Sequence, residues 1–498
     1  MKLENLNATF EKNKKLLQYA FIFTCIVGLM AHGFAYTNLM MGHDSNTLYY
    51  NSNGIYNGRY FGAMINGLFM YYMQLPYLAG LFELFFLSIT TWLLCKFFEL
   101  NNKWQVLGVA ILVIANPVII AFNIYGHDVV KNVVGICLAV AAPYITKRYK
   151  YGFLPAFICI VCAIATYQAF FAISIVLYIS DILLECIQGK KATLQIIKKG
   201  LGYAFLLVLA MAAYMLLWEL LLYLFKEQKT NYLGMDTVGS NSLTQMIKII
   251  PASFVDISNS ISKSYIARRY YLKFAILLAN TAGIVTVLYK SKNKGLPYLL
   301  LALALLAILP IAMNLAYIMS LAQTNYALVK YSFVMVSVLL FYLLLQNKHK
   351  LSKCIAYFLV VSMFVSNIYG ANEAYVKKAI IYRNQNLVMA DIINTIHMDE
   401  NYTSDKKIAF YGFQLSREIS EGFVWSRELV GSALNTGFSY TDSILTAFRL
   451  AFPNENFIQM DFDPNDTSLA AQPRYPDYGY VQLKDDVYIV KMSDLVIP

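Results

Sequence analysis

Residues 19–35 read YAFIFTCIVGLMAHGFA, a stretch with no Asp, Glu, Lys or Arg, and Lys12, Lys14 and Lys15 stand just ahead of it. Extended by its apolar neighbours to residues 17–37, it reaches the roughly 20 residues that cross a bilayer as a helix. A cleaved signal peptide is the rival reading. The basic region is long, however, and no small-residue cleavage site closes the run, so a retained first helix is expected.

The pattern then repeats. Runs of the same kind lie near residues 77–98, 104–123, 129–146, 152–167, 169–187, 200–225, 271–289, 296–318, 329–346 and 353–370, which with the first makes eleven expected transmembrane helices. The stretch 152–187 is long for one span and short for two. Of 498 residues, 58% are hydrophobic and 14% charged, against about 25% charged in a soluble domain. A larger core does not explain the deficit, because a soluble surface must still be covered; a lipid-facing surface does. All seven cysteines fall in the apolar runs. No disulfide framework is expected, and the pair Cys159 and Cys162 reads as helix packing.

Lys and Arg set the orientation. They cluster in alternate connections: Lys96 and Lys103; Lys147, Arg148 and Lys150; Lys190, Lys191, Lys198 and Lys199; Lys290, Lys292 and Lys294; Lys348, Lys350 and Lys353. With the N-terminus in the cytoplasm every cluster is cytoplasmic, and an odd number of spans places everything after about Gly370 outside. The formal net charge of +11 then belongs to loops facing anionic lipid, and no nucleic-acid partner is expected. Residues 1–370 form the expected transmembrane domain and 371–498 an extracytoplasmic one. The latter mixes a helix (Tyr375 to Ile396), a strand (Lys407 to Phe413) and a closing strand (Asp486 to Met492). The expected fold class is mainly α and polytopic, with a small C-terminal α/β domain.

Residues that carry chemistry gather in the outer loops. The first loop, about Asn38 to Pro76, holds His43-Asp44-Ser45 and Asn57-Gly58-Arg59-Tyr60. A carboxylate at Asp44, just beyond the first helix, can deprotonate an acceptor hydroxyl. The planar fork of Arg59 matches two phosphate oxygens at once. The plainer alternative is a capping Asp and an Arg reaching for headgroups. Gly126-His127-Asp128 repeats the His-Asp pairing on the same side, with Lys131 one turn later. Asp128 can simply cap its helix; two converging acids can also share acceptor activation or bind a divalent cation such as Mg or Mn.

Thr166-Tyr167-Gln168 interrupts the apolar stretch with polar groups at an outer turn, either as turn chemistry or as substrate contacts. Arg268, Arg269 and Lys330 lie where chain re-enters the membrane on the outer side, placed to attract a lipid phosphate or to anchor at headgroups. Glu83 and Glu219 lie within spans, which is unfavourable unless they are paired. The loop from Lys226 to Tyr270 shows two amphipathic stretches, near 242–250 and 253–265. Asp461 and Asp463 form a D-x-D that reads as a loop. No phosphate-binding G-x-x-x-x-G-K-[ST], dinucleotide G-x-G-x-x-G or zinc H-E-x-x-H motif occurs.

In their order and membrane placement, His43-Asp44-Ser45, Gly58-Arg59-Tyr60, Tyr167-Gln168-Ala169 and the helix Asn372 to Ile396 resemble the type II glucosyltransferases of the bacterial serotype-converting group. The resemblance covers most of the first 400 residues. It implies a bacterial cell-membrane glycosyltransferase of the GT-C type with a polyprenyl-phosphate-linked sugar as donor. Its acceptor is a cell-surface polysaccharide or lipid-linked glycan outside the cytoplasm. By that resemblance Asp44 is the catalytic acid of the first loop and Arg59 holds the Gly-Arg position. Many members carry a second acid beside the first. Here that neighbour is His43, which counts against a two-carboxylate or metal-dependent mechanism. Direct, inverting attack by the acceptor is expected. A lipid flippase is the main rival, and it calls for charges at the bilayer midplane and paired broken helices. A polysaccharide polymerase or ligase shares the membrane side and the substrates, but leans on loop arginines more than on a first-loop acid.

Overall fold

A computed structural model describes residues 2–41, 54–230, 243–262, 269–315, 318, 327–412, 441–460, 462 and 467–493. His43, Asp44, Arg268, Asp461 and Asp463 lie outside the described residues. The first half of the chain forms α1 (Lys2–Thr37), α2 (Tyr60–Met70), α3 (Pro76–Phe97), α4 (Lys103–Ile114), α5 (Pro117–Tyr125), α6 (Val129–Arg148), α7 (Phe153–Thr166), α8 (Phe171–Gln188) and α9 (Thr193–Phe225). There follow α10 (Leu243–Ser262), α11 (Tyr270–Lys292), α12 (Leu296–Met313), α13 (Ser332–Leu345) and α14 (Lys350–His397).

Among the described residues each apolar run of the sequence is largely helical, though not all are equal. Eight helices among the described residues are long and apolar enough to span a membrane, nine if the bent pair α4–α5 counts as one. The helices α7 and α13 have 14 residues each. At 1.5 Å per residue each covers about 21 Å, short of the ~30 Å hydrocarbon core. The two amphipathic stretches expected between Lys226 and Tyr270 are one helix, α10, with Pro251 inside it. The outward faces are apolar, as a lipid surface requires: on α9, Leu201, Phe205, Val208 and Leu216 are all exposed.

The connections that carry lysines come together at one end of the bundle. Lys96 Nζ donates to Asn13 Oδ1 at 2.6 Å, and Lys147 Nζ donates to the Phe97 carbonyl at 3.0 Å. Asp181 pairs with both Lys147 and Lys199, at 3.1 and 2.5 Å, and Tyr298 donates to the Lys191 carbonyl at 2.9 Å. These contacts place the starts of α1, α9 and α12 beside the ends of α3 and α6, as alternating crossings demand.

The bend of 46° between α4 and α5 has a local cause. Pro117 has no N–H to continue the helix and its ring crowds the preceding turn. Asn116 repairs both sides: its Nδ2 donates to the Val113 carbonyl at 2.7 Å, and its Oδ1 accepts from the Val118 and Ile119 amides at 3.1 and 3.2 Å. Three distant side chains also donate to carbonyls at the break, as apolar surroundings favour. Tyr331 donates to Val113, His32 Nε2 to Ile114 and Asn367 to Ala115, at 2.8, 3.0 and 2.7 Å. Because Nε2 faces a carbonyl it carries the proton, so Nδ1 accepts from Tyr375 at 2.7 Å. The break redirects α5 so that its end delivers Tyr125, Gly126, His127 and Asp128.

The last apolar run and the helix expected after it are one continuous 48-residue helix, α14, about 72 Å long. Its far end, through Met389, Ile392, Ile393 and Ile396, packs into the C-terminal core beside Ile408, Phe410 and Tyr488. That core is built on β1 (Lys407–Tyr411), α15 (Thr441–Ala451), β2 (Asn456–Phe457), α16 (Thr467–Ala471), β3 (Val481–Lys484) and β4 (Val487–Lys491). The sheet order is β2-β1-β4-β3, with β1 parallel to both neighbours and β3 antiparallel to β4. β1 and β4 fall within the two strands expected from sequence.

Candidate active site

At the end of the bundle away from the lysine-rich connections, the first loop folds back onto α9. Residues 54–59 make a tight turn, with Gly54 and Gly58 at φ +65° and +70°, a backbone region that L side chains rarely adopt. Arg59 N donates to the Gly54 carbonyl at 2.7 Å. The turn is pinned from outside. Trp218 Nε1 donates to the Ile55 carbonyl at 2.6 Å, Gln168 Nε2 to the Asn57 carbonyl at 2.8 Å, and Tyr214 to the Gly58 carbonyl at 3.2 Å. Gln168 Nε2 also reaches Tyr214 Oη at 3.0 Å. A Cβ at Gly58 would collide with Tyr214 and Gln168, so the glycine permits the approach as well as the turn.

The turn aims Arg59. Its guanidinium lies over the Tyr167 ring, 4.6 Å from the centroid, an arrangement worth about 0.5–2 kcal/mol according to how dry the site is. The short apolar helix α2 then returns past the start of α6, where Gly62 packs close to the Thr166 carbonyl and the Lys131 stem. Asn66 Nδ2 donates to the His127 carbonyl at 3.2 Å.

Asp128 occupies the N-cap position of α6 but makes no side-chain cap hydrogen bond. It pairs instead with Lys131 and with His127 Nε2, the latter at 3.2 Å. Burial opposes its charge, but His127, Lys131 and Arg59 outweigh it and hold the carboxyl down at about 2. Asp128 is therefore a fixed anion among cations. Arg59, His127, Asp128, Lys131, Tyr167 and Gln168, six residues singled out in the sequence, thus form one cluster.

Along this loop and α2, and among the described residues, three buried polar atoms have no hydrogen-bond partner: Arg59 Nε, Tyr60 Oη and Asn66 Oδ1. Leaving such an atom unpaired costs about 1–3 kcal/mol, and buried polar groups are normally satisfied. Their gathering along one loop and one helix is what a site awaiting a polar ligand looks like.

The other sequence candidates sit elsewhere. Arg269 packs over the Tyr369 ring of α14 at 5.5 Å. Lys330 is buried and paired with both oxygens of Asp256 on α10, at 3.0 and 2.9 Å. Glu83 is fully buried, accepting from Tyr36 at 2.7 Å and Asn123 at 2.8 Å, while Glu219 pairs with Lys229. Asp256 was missed from sequence because its partner lies 74 positions away. Trp218 and Tyr214 were missed because aromatics within an apolar span read as core. Among the described residues, no three His, Cys, Asp or Glu side chains gather as metal ligands.

The described residues thus form a multi-pass helical bundle with a polar cluster of Arg59, His127, Asp128 and Lys131 at one of its mouths. The family model described as Glucosyl transferase GtrII matches residues 33–346, well over half of the chain, and the chain belongs to that family. It is accordingly a membrane glucosyltransferase, and every site residue discussed above falls within the matched region. No curated protein and no solved structure matches the chain.

Proposed function

We propose that the protein transfers glucose or a related hexose from a polyprenyl-phosphate-linked donor to a cell-surface polysaccharide or lipid-linked glycan, on the extracytoplasmic side of a bacterial cell membrane. In this reading the chain crosses eleven times, residues 371–498 form an outer domain, and α7 and α13 are short spans. The observation that carries it is the convergence of Arg59 and Lys131 beside Tyr167, at the mouth opposite the lysine-rich end. A lipid phosphate is an anion at the membrane surface, and a fork stacked on an aromatic ring beside an ammonium is suited to it.

Asp44 serves as the general base. It follows Met41 by three residues in the sequence. Met41 itself is buried at this mouth and accepts from Tyr382 of α14 at 3.7 Å. His43 stands beside the base in the chain. Asp128 orients His127 and Lys131 rather than carrying a proton, and Tyr167 and Gln168 hold Arg59 in place. The acceptor oxygen attacks the anomeric carbon as the bond to the phosphate breaks, inverting that carbon. The acceptor proton goes to Asp44, and the leaving phosphate stays between Arg59 and Lys131. Because phosphate leaves as a stable anion, the rate comes mainly from positioning and charge stabilisation. Arg268 and Arg269 are outer anchors for anionic lipid, and Lys330 is a reserve cation held by Asp256.

Sealed vesicles of defined orientation, loaded with polyprenyl-phosphate glucose and given acceptor on one face only, test the reading. Transfer only when the acceptor is on the extracytoplasmic face is expected. Transfer confined to the cytoplasmic face, or from a nucleotide sugar in place of the lipid donor, overturns it.

A further inference from the structure

The helix α10 joins two spans, and no role described so far uses it. Lys199, near the start of α9, pairs with Asp181, and Lys294, just beyond α11, packs against Gly189. Both belong to the lysine-rich end of the bundle, so α9 finishes and α11 begins at the opposite end. The chain between them enters and leaves by one side of the membrane, and a single helix there cannot be a crossing.

Two contacts set its depth. Asn314, which ends α12, donates through Nδ2 to the Ser253 carbonyl at 3.0 Å. The 18 residues of α12 carry that point about 27 Å from the lysine-rich end, at 1.5 Å per residue. Three positions on, Asp256 accepts from Lys330 at 3.0 and 2.9 Å. Lys330 lines a small cavity with Asn116, Pro117 and Val118, the break that follows the 12 residues of α4. Since α4 starts beside the end of α3, that break lies only about 18 Å from the lysine-rich end. Both depths fall inside the ~30 Å hydrocarbon core.

The faces of α10 agree with this depth. Ser253 and Asp256 are buried, toward α12 and Lys330. Ile247, Pro251 and Phe254, spaced four and three residues apart, are exposed on the other side with Val255 beside them. Ser258 continues the stripe, and a serine hydroxyl can return to the carbonyl four residues back. Lys248 is exposed at the edge of the stripe, about 12 Å along the axis from Asp256, where a long apolar stem lets an ammonium reach for headgroups.

We propose that α10 is a re-entrant helix of the outer leaflet, seated against the outer end of the short α13, with Ile247, Pro251, Phe254 and Val255 against the acyl chains of the bilayer. Facing water, that stripe would be an exposed apolar patch; facing acyl chains it needs no cover. Asp256 makes the placement tolerable. At this depth a lysine beside α13 lacks water for its charge, and a buried carboxylate is the partner it requires. The inference goes beyond donor and acceptor, and uses only the span reading of α13 given above.

The test places the photo-crosslinker p-benzoylphenylalanine, one site at a time, at Ile247, Phe254 or Val255 of the full-length protein in nanodiscs of palmitoyl-oleoyl phosphatidylglycerol and phosphatidylethanolamine. Phe205 of α9 and Ile308 of α12, both exposed along spans, are the references. Tyr478 of the C-terminal domain, fully exposed, gives the background. Irradiation and mass analysis should yield acyl-chain adducts at all three α10 sites, as at Phe205 and Ile308, and lose them at Tyr478. Background yields at Phe254 and Val255, the sites nearest Asp256, contradict the inference when the references give adducts, and leave the membrane placement of the bundle intact. Adducts at the α10 sites confined to headgroups contradict it equally. Background yields at Phe205 and Ile308 as well contradict the membrane placement and the inference with it. The three α10 side chains are exposed, so the probe displaces no core contact, and any one of them that folds is informative.

Discussion

The Arg59 guanidinium stacks on the Tyr167 ring at 4.6 Å, across 108 positions of sequence, and the turn that delivers it is tied to α9 and to Gln168 through three backbone carbonyls. The contact fixes a planar cation at the mouth of the bundle before any substrate arrives. Arg59→Lys keeps the charge but loses the fork and the stacking. It should raise the apparent KM for a polyprenyl-phosphate donor about tenfold, as a loss of ~1.4 kcal/mol implies, with expression unchanged. Donor titrations in purified membranes check this, and an unchanged KM removes Arg59 from phosphate binding.

The anchoring of that turn is a separate question. Gln168→Leu deletes two hydrogen bonds without touching Arg59, leaving the Asn57 carbonyl without that donor. About 1–2 kcal/mol is at stake, and misplaced positioning groups slow chemistry well beyond their direct contacts. A fall of about tenfold in kcat/KM with intact thermal stability is expected. A variant that loses stability and activity together would make Gln168 merely structural.

Asp128, held at about 2 against an ordinary 3.8, leads to a prediction about pH. Because its folded value is depressed, the ionised carboxylate stabilises the fold above about 3.8, and that contribution is lost as pH falls through about 2. It does not change protonation across the working range, so Asp128→Asn should lower the rate without moving either limb of the pH–rate profile between about pH 4 and 9. A limb that disappears in Asp128→Asn would make Asp128, not Asp44, the proton acceptor.

Lys330 and Asp256 form an ion pair with side chains 1% and 6% exposed. Removing one partner leaves the other charge buried, at about 3–5 kcal/mol, whereas replacing both with apolar residues is far less harmful. Lys330→Met and Asp256→Leu should each lower the midpoint of thermal unfolding in detergent, and the double variant should recover most of the loss. Additive losses would show that the two residues do not act as a pair.

Much of this was legible in the sequence, because an apolar run of about 20 residues has few alternatives. The lysine clusters at Lys96, Lys147 and Lys199 were expected on one side of the chain, and they meet at one end of the bundle. Asn116-Pro117 was on the page, but hydropathy averaged it away and one straight span was expected over 104–123. The unity of α14 was hidden because its continuous apolar run gives way after Gly370 to mixed polar and charged sequence, which reads as a separate helix. Short motifs found Arg59, His127, Asp128, Lys131, Tyr167 and Gln168, and the fold brought them together.

The most direct measurement of the central claim is transfer of labelled glucose from polyprenyl-phosphate glucose to a cell-wall glycan extract, in membranes holding wild type or Asp44→Asn at matched folded yield. The account predicts transfer by the wild type and a loss of at least about 100-fold in the variant, the scale of a lost general base. Equal transfer by both proteins would contradict it.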